Sequence, residues 1–356
     1  MSNPGPALVG CPECDLLQRP VAVAAGDAAL CGRCGARLSR APVGAPDRIL
    51  PLALAAMIAL GVAVLFPIVI LDLRGTEVQT TLFGTAEALY ADHMAPLAVL
   101  VLATTIVYPV LALFTLAFRN SGQPALRRLL RAVQPWCMVE VFVLGVLVAY
   151  AKLAHMVPVA PGAGALALGV FVVLWAIMQR EANGDAERTF RKPYSLARTW
   201  AFLLAALALY VPANLLPVMH TELVSGAQDD TILSGIAFLW KTGSWPLALV
   251  VFVASISVPL LKMLALGGLA TSVRIRSKWR PRVRARIYRA LEFIGRWSML
   301  DIYVTAILVA LVQAKALARI HAGPGALAFA AVVILTMAAT MSFDPRLIWD
   351  SESHAT

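Results

Sequence analysis

The sequence predicts an all-α integral membrane protein, and its composition, the length of its apolar segments and an internal repeat predict this together. The 356 residues are 60% apolar and 14% charged, with a mean hydropathy of +0.78. Soluble domains are about 45–50% apolar and about 25% charged, so one water-soluble core cannot hold this apolar content. The composition excludes a soluble enzyme, a secreted disulfide scaffold and a disordered chain. The long apolar runs also disfavour a β-barrel.

Eight apolar segments are each close to the ~20 residues with which a helix crosses a bilayer. They are residues 49–72, 95–118, 136–156, 163–179, 199–220, 245–271, 297–314 and 324–342. Of the 30 Lys and Arg residues, 24 lie in the N-terminal region, in every second loop and at the C-terminus. Because positive residues concentrate on the cytoplasmic side, both termini are predicted to be cytoplasmic.

The two halves of the chain carry matching motifs. Pro96 and Pro109 match Pro246 and Pro259 at an offset of 150, and P-W-C-M-V-E matches R-W-S-M-L-D at an offset of 161. Four segments per half is an even number, so both halves have the same orientation and form two parallel four-helix repeats. The predicted modules are residues 46–180 and 199–356, joined by the cytoplasmic linker 181–198. Alternatively, the duplication only builds a larger helix bundle.

Four of the five cysteines form two C-x-x-C pairs near the N-terminus. Cys11 and Cys14 are followed, after 16 residues, by Cys31 and Cys34. This spacing is typical of a four-cysteine zinc ribbon, which we place in residues 1–45. Four thiolate ligands leave no open position, so the zinc is expected to be structural. The alternatives are iron in a rubredoxin-like site and a thiol redox switch.

Five polar residues are expected inside the second module. Lys262 lies deep in the sixth segment, with Ser255 two helical turns away on the same face. Ser298 and Asp301 share a face of the seventh segment, and Thr336 lies midway along the eighth. Ionisable groups in a membrane are costly and therefore indicate function. We predict one polar cluster in which Asp301 neutralises Lys262, an arrangement suited to a proton-coupled cycle. The alternative is a structural ion pair.

Two further segments have a predicted role. Pro212 and Pro217 are expected to kink or break the fifth helix. The basic run 272–289 is expected to be a loop at the membrane surface, where it attracts anionic headgroups. The aromatic residues of this run are as typical of a membrane interface as of an RNA-binding surface, so no nucleic-acid binding is predicted. Walker A, H-E-x-x-H and nucleophile-elbow motifs do not occur in the sequence, and no enzymatic activity is predicted.

Several motifs resemble one known family. They are L-Y-V-P-A-N-L-L-P-V-M (209–219), S-V-P-L-L-K (257–262), F-I-G-R-W-S-M-L-D (293–301), P-G-A-L-A-F (324–329) and F-D-P-R-L-I-W-D (343–350). They resemble the paraquat-inducible protein A family, which includes the LetA-type lipid transporters. The resemblance implies a bacterial inner-membrane protein that moves phospholipid or a similar amphiphile to or from a periplasmic MCE-domain (mammalian cell entry) partner.

The resemblance also bears on the site residues. The family's proposed proton-relay positions match Ser255, Lys262, Ser298, Asp301 and Thr336 of this chain. The family's typical chain has a second zinc ribbon between its modules, but the linker 181–198 contains no cysteine. Two functions from other classes stay open: a proton-coupled secondary transporter of a small solute, and a membrane-anchored metal or redox sensor.

Overall fold

The computed structural model describes most of the chain. The described residues are 9–19, 21, 23–24, 27–40, 49–73, 76–117, 124–154, 159–182, 194–223, 226–241, 243, 245–277, 279–313 and 319–350. At Asp301 the backbone alone is described. The linker predicted at 181–198 therefore lies largely outside the described residues.

The described chain is mostly helical, as predicted. Its helices are α1 (Ile49–Leu65), α2 (Leu82–Ala91), α3 (Ala95–Leu102), α4 (Tyr108–Ala117), α5 (Pro124–Val133), α6 (Val139–Ala154), α7 (Ala163–Ala182), α8 (Ser195–Leu215), α9 (Ile232–Lys241), α10 (Trp245–Phe252), α11 (Val258–Arg274), α12 (Pro281–Trp297), α13 (Leu300–Gln313) and α14 (Pro324–Ser342). The strands are β1 (Val9–Gly10), β2 (Leu17–Gln18), β3 (Ala28–Leu30), β4 (Arg37–Arg40), β5 (Val69–Leu73), β6 (Thr76–Thr80), β7 (Val159–Pro161), β8 (Met219–Leu223), β9 (Gly226–Asp230) and β10 (Arg319–Ala322).

Four helical segments of the described chain are long and apolar enough to cross a membrane. They are Ala95–Ala117, Ser195–Leu215, Ser255–Arg274 and Pro324–Ser342. Three further apolar helical segments, Ile49–Leu65, Gln134–Tyr150 and Ala163–Gln179, are shorter than 18 residues. The predicted count of eight spans therefore stays a prediction.

The chain is not all-α, because each half adds a small antiparallel sheet. The strand orders are β6-β5-β7 in the first half and β10-β8-β9 in the second. The predicted span 49–72 is wrong at its C-terminal end, since α1 stops at Leu65 and β5 begins at Val69. Pro67 follows the helix, and proline cannot continue its hydrogen-bond pattern. The apolar run continues unbroken across this boundary, so hydropathy does not mark the change from helix to strand.

The two halves have the same order of elements. Each starts with a helix, a β-hairpin and a short helix, and ends with a strand and a helix. Each also contains a π-helical turn, Ala103–Val107 in the first half and Val253–Ser257 in the second, at an offset of 150 residues. The first and last helices of each half pack together, α1 on α7 and α8 on α14.

Two glycines fix the last helix of each half to the end of its first helix. The Gly164 and Gly325 amides donate to the carbonyls of Pro67 and Pro217, each at 2.9 Å. A Cβ at Gly164 would lie 2.4 Å from the Phe66 carbonyl oxygen, and one at Gly325 would lie 2.5 Å from that of Leu216. Only glycine fits these contacts, because the oxygens belong to the backbone.

The fifth predicted span ends at its pair of prolines. Helix α8 continues through Pro212 and ends at Leu215, two residues before Pro217. The helix is therefore not interrupted at Pro212, it ends before Pro217, and a kink at Pro212 stays a prediction. Near this proline, the Asn214 Nδ2 donates to the Tyr210 carbonyl at 2.8 Å.

The two halves meet where α13 packs against α6 and α2. The Tyr303 hydroxyl of α13 donates to Thr104 Oγ1 in the π-helical turn of the first half at 2.8 Å. Its ring meets Phe142 edge-on, with the ring centroids 5.4 Å apart. A Cβ at Gly145 would lie 3.0 Å from the Cβ of Tyr303. The missing side chain at Gly145 therefore sets how closely α6 and α13 approach.

We expect Gly145→Ala to lower the free energy of unfolding by about 1–3 kcal/mol, because the added methyl group overpacks against α13. The measurement is thermal unfolding of the detergent-solubilised protein. Gly61→Ala in α1 is the matched control, since a Cβ there meets nothing within 4 Å. An equal or smaller loss of stability in Gly145→Ala than in Gly61→Ala would contradict the close approach.

Candidate functional site

The four N-terminal cysteines lie in the turns of two β-hairpins. Strand β1 pairs with β2 and β3 pairs with β4, both antiparallel. Cys11 and Cys14 occupy the first turn, and Cys31 and Cys34 occupy the second. Gly35 follows the second pair with φ +72°, a left-handed conformation that glycine adopts without a steric cost. Its amide donates to the Cys31 carbonyl at 2.8 Å, which closes the turn.

The four thiols form one buried cluster, as the spacing predicts. Their sulfur atoms all lie within 4.8 Å of one another, and none of them is in a disulfide. The Cys11 and Cys34 sulfurs are 3.5 Å apart, and those of Cys14 and Cys31 are 3.6 Å apart. Tetrahedral bonds of about 2.3 Å from a metal place thiolate sulfurs about 3.8 Å apart. The residues therefore fit a tetrahedral metal ion.

Hydrogen bonding and burial give the thiols of the cluster different pKa values. The hydrogen bond from Cys34 lowers the pKa of Cys11 to about 5, because it stabilises the Cys11 thiolate. Burial raises the pKa of Cys14 to about 12. A bound cation supplies the positive charge that lets all four sulfurs ionise together.

The cysteine hairpins, here called the ribbon, dock on the second half of the chain. The Arg346 Nε donates to the Pro12 carbonyl at 2.9 Å and lies 3.3 Å from Asp15. Arg289 of α12 donates to the Cys34 carbonyl at 2.7 Å. The Arg33 guanidinium lies 4.6 Å from the ring centre of Trp349. The ribbon precedes the first module in the chain but contacts the second.

Lys262 of the predicted polar cluster is buried and contacts Thr336. It is 1% exposed, on the third turn after the π-helical segment Val253–Ser257 begins. Its Nζ donates to Thr336 Oγ1 of α14 at 3.2 Å. Thr336 in turn donates to the Val333 carbonyl at 2.9 Å. The structure thus brings Lys262 and Thr336, two residues of the predicted cluster, together across 74 residues of sequence.

Gly295 of α12 also contacts the Lys262 ammonium group, and sequence reasoning missed it. A Cβ at Gly295 would lie 3.2 Å from Nζ and 3.5 Å from Cε. Any side chain at this position would therefore crowd the ammonium group. A glycine inside an otherwise regular amphipathic helix is the signal that could have found it, since glycine there costs helix stability.

The other three residues of the predicted cluster are Ser255, Ser298 and Asp301. Ser255 is buried in the π-helical turn, and Ser298 is buried at the junction of α12 and α13. Within the described part of the chain, the Ser298 hydroxyl has no hydrogen-bond partner. Asp301 lies in the first turn of α13, but its side chain is outside the described residues. The ion pair between Asp301 and Lys262 therefore stays a prediction.

A second contact that sequence reasoning missed joins the two halves near this cluster. Glu140 of α6 lies 3.5 Å from Arg296 of α12. Glu140 occupies the position in the first half that matches Asp301 in the second. The pairing could not be foreseen, because its partners are 156 residues apart in the chain.

A family model and several relatives match the chain. The model described as paraquat-inducible protein A matches it twice, over residues 47–186 and 196–352. The chain is 33% identical to the intermembrane transport protein PqiA of Escherichia coli K12, an alignment that covers 96% of this chain and 95% of that protein. It is 27% identical to the lipophilic envelope-spanning tunnel protein A of the same organism, over 96% of this chain and 91% of that protein.

A third relative matches one part only. The probable intermembrane transport protein of Haemophilus influenzae is 40% identical over 156 residues, which are 43% of this chain and 37% of that protein. No solved structure matches the chain. The two family matches together cover far more than half of the sequence. The chain therefore belongs to the paraquat-inducible protein A family.

Proposed function

We propose that this chain is an inner-membrane subunit that moves phospholipid or a similar amphiphile between that membrane and a periplasmic MCE-domain partner. The buried Lys262, held by Thr336 among apolar helices, is the observation that carries the proposal. A buried ammonium group is costly, so it is retained where a polar ligand or a proton must enter an apolar region. The names of the relatives, intermembrane transport protein and envelope-spanning tunnel protein, support transport across the envelope.

The proposed topology has eight spans in two parallel modules, residues 46–180 and 199–356, with both termini in the cytoplasm. The two separate matches of one family model and the shared order of elements support two modules. The concentration of Lys and Arg in alternate loops supports the orientation. On this topology the ribbon lies in the reducing cytoplasm, and the two small sheets lie on the periplasmic side.

The proposed role of the polar cluster is to couple lipid movement to a proton. Lys262 lies against Thr336 and Gly295, and Ser255 and Ser298 are buried on neighbouring elements. Asp301 would exchange the proton and Lys262 would be its countercharge. The three hydroxyl groups would position water or pass the proton on. This arrangement would use the proton gradient and require no nucleotide.

The ribbon would hold Zn²⁺ as a structural ion through Cys11, Cys14, Cys31 and Cys34. The burial of all four sulfurs supports a closed site over a catalytic one, because a catalytic ion keeps an open position. The contacts of Arg289 and Arg346 with the ribbon backbone support a role in fixing α12 and the C-terminal segment.

We expect Cys14→Ser to remove about one equivalent of bound zinc and to lower the amount of folded protein, because the ribbon folds around its metal. Metal content is measured by elemental analysis of the purified protein. Cys137→Ser is the control, since Cys137 is equally buried but lies outside the four-cysteine cluster, where its sulfur donates to the Val133 carbonyl at 3.7 Å. Full zinc content in Cys14→Ser would contradict the four-cysteine site.

We expect Lys262→Met to abolish transport while the protein stays folded and abundant. Asp301, the proposed counterion, can take up a proton once the ammonium group is removed, and Thr336 still donates to the Val333 carbonyl of its own helix. Transport is measured in cells by an assay of envelope function, and folding is measured by thermal unfolding of the purified protein. Lys241→Met on the exposed face of α9 should leave both unchanged. Normal transport in Lys262→Met would end the proposed role of this residue.

We expect a photoreactive residue in place of Leu335, next to Thr336, to crosslink phospholipid in native membranes. The adducts, identified by mass spectrometry, should fall at least tenfold in Lys262→Met, because lipid movement past the polar cluster would no longer be coupled to a proton. A protein that is abundant and folded but gives no lipid adduct would favour a small solute over lipid. Adducts that are insensitive to Lys262→Met would separate lipid contact from the polar cluster.

A further inference from the structure

A basic cavity lies between the ribbon and the start of α12. Its volume is about 480 Å³, and one wall is the turn 31–35 of the ribbon. A second cavity of about 520 Å³ shares three arginines with the first and is bounded by Trp349. The arginines that line the two cavities are Arg33, Arg280, Arg282, Arg286 and Arg289. Together we call this space the arginine cavity.

Backbone contacts fix two of these arginines in place. The Arg282 Nε donates to the Arg33 carbonyl at 3.0 Å. Arg289 donates to the carbonyls of Cys34 and Gly35, at 2.7 and 3.1 Å. A carbonyl oxygen carries no net charge, so these bonds orient the guanidinium groups without neutralising them.

Arginine is the predominant charged residue in the lining of the arginine cavity. Among the described residues that line it, five are arginines and none is a carboxylate. Glu13 of the ribbon lies 3.7 Å from Arg289. A lining of this kind suits an anion such as a phosphate group, because guanidinium groups donate hydrogen bonds to several of its oxygens.

Arg286 is the lining residue that is free to bind a ligand. Its side chain is exposed, and within the described ranges it has no ion pair or hydrogen bond of its own. It lies one helical turn from Arg282 and so faces the same side of α12. The N-terminus of this 17-residue helix, at Pro281, adds a partial positive charge at the cavity.

We propose that the arginine cavity binds a phosphate group, offered by an anionic phospholipid headgroup or by free phosphate. Guanidinium groups match phosphate oxygens with two parallel hydrogen bonds, which gives them geometric specificity for this anion. Ile275 and Trp279, at the end of the preceding turn, are 69% and 59% exposed, as expected of side chains at a membrane surface. The bound phosphate bridges the ribbon and α12, the helix whose Gly295 contacts Lys262.

This site is separate from the proposed transport function. It uses no residue of the polar cluster, and it requires neither proton coupling nor lipid transfer. A protein that transports nothing would still bind phosphate here if the geometry is correct.

The test uses the full-length protein in a neutral detergent, with its metal bound. Two probes are titrated by calorimetry: inorganic phosphate, and dihexanoyl-phosphatidylglycerol below its micelle concentration. Arg286→Ala is the variant, since Arg286 makes no hydrogen bond or ion pair with the described part of the ribbon. Arg274→Ala is the matched control, because it removes the same charge from the same basic run but lines neither cavity.

We expect Arg286→Ala to weaken binding at least tenfold, Arg274→Ala to change it less than twofold, and both to keep their metal. Arg286→Lys keeps the charge without the forked geometry, and it should also weaken binding. Tighter binding of the phospholipid identifies a headgroup as the ligand, and tighter binding of inorganic phosphate identifies the free anion. Equal losses in Arg286→Ala and Arg274→Ala would show a diffuse charge effect and overturn the site. So would the failure of both probes to bind the unaltered protein.

Discussion

The structure depends on one constraint: apolar surroundings give the backbone no water to bond with, so the chain must satisfy its own amides and carbonyls. Helices do this along most of the described sequence. At the π-helical turns the α-helical hydrogen-bond pattern is interrupted, and tyrosine side chains donate hydrogen bonds to residues in these turns. Tyr210 donates to the Ile256 carbonyl, and Tyr303 donates to Thr104 Oγ1. Where the first helix of each half ends, the amides of Gly164 and Gly325 bond to the carbonyls of Pro67 and Pro217.

One helix, α12, connects the parts of the molecule that carry chemistry. Its first turns hold the ribbon through Arg282 and Arg289. Its last turn places Gly295 against Lys262 and lets Arg296 reach Glu140 of the first half. A rigid helix about 25 Å long, at 1.5 Å per residue, separates these two ends. One continuous helix thus contacts both the ribbon and Lys262.

The two halves share the order of their secondary-structure elements but differ in the side chains buried between their helices. At the matching positions of the first half, Ala112 stands where the second half has Lys262, and Trp175 stands where it has Thr336. Both are buried, and Trp175 stacks on Phe171. Apolar packing thus replaces the buried polar contact in the first half. The second half keeps the buried ammonium group, and its helix α13 packs against the first half where Tyr303 meets Gly145 of α6.

The sequence by itself determined the apolar helices and the four clustered cysteines, because hydropathy and spacing are local properties. It did not reveal the sheets, since the apolar run crosses from α1 into β5 without a break. Only the tertiary structure decided that the ribbon docks on the second half and that Glu140 meets Arg296. The same holds for the arginines that gather around one cavity. These contacts bring together parts of the chain that are more than 100 residues apart in sequence. They depend on how the elements pack in three dimensions, which local sequence patterns do not predict.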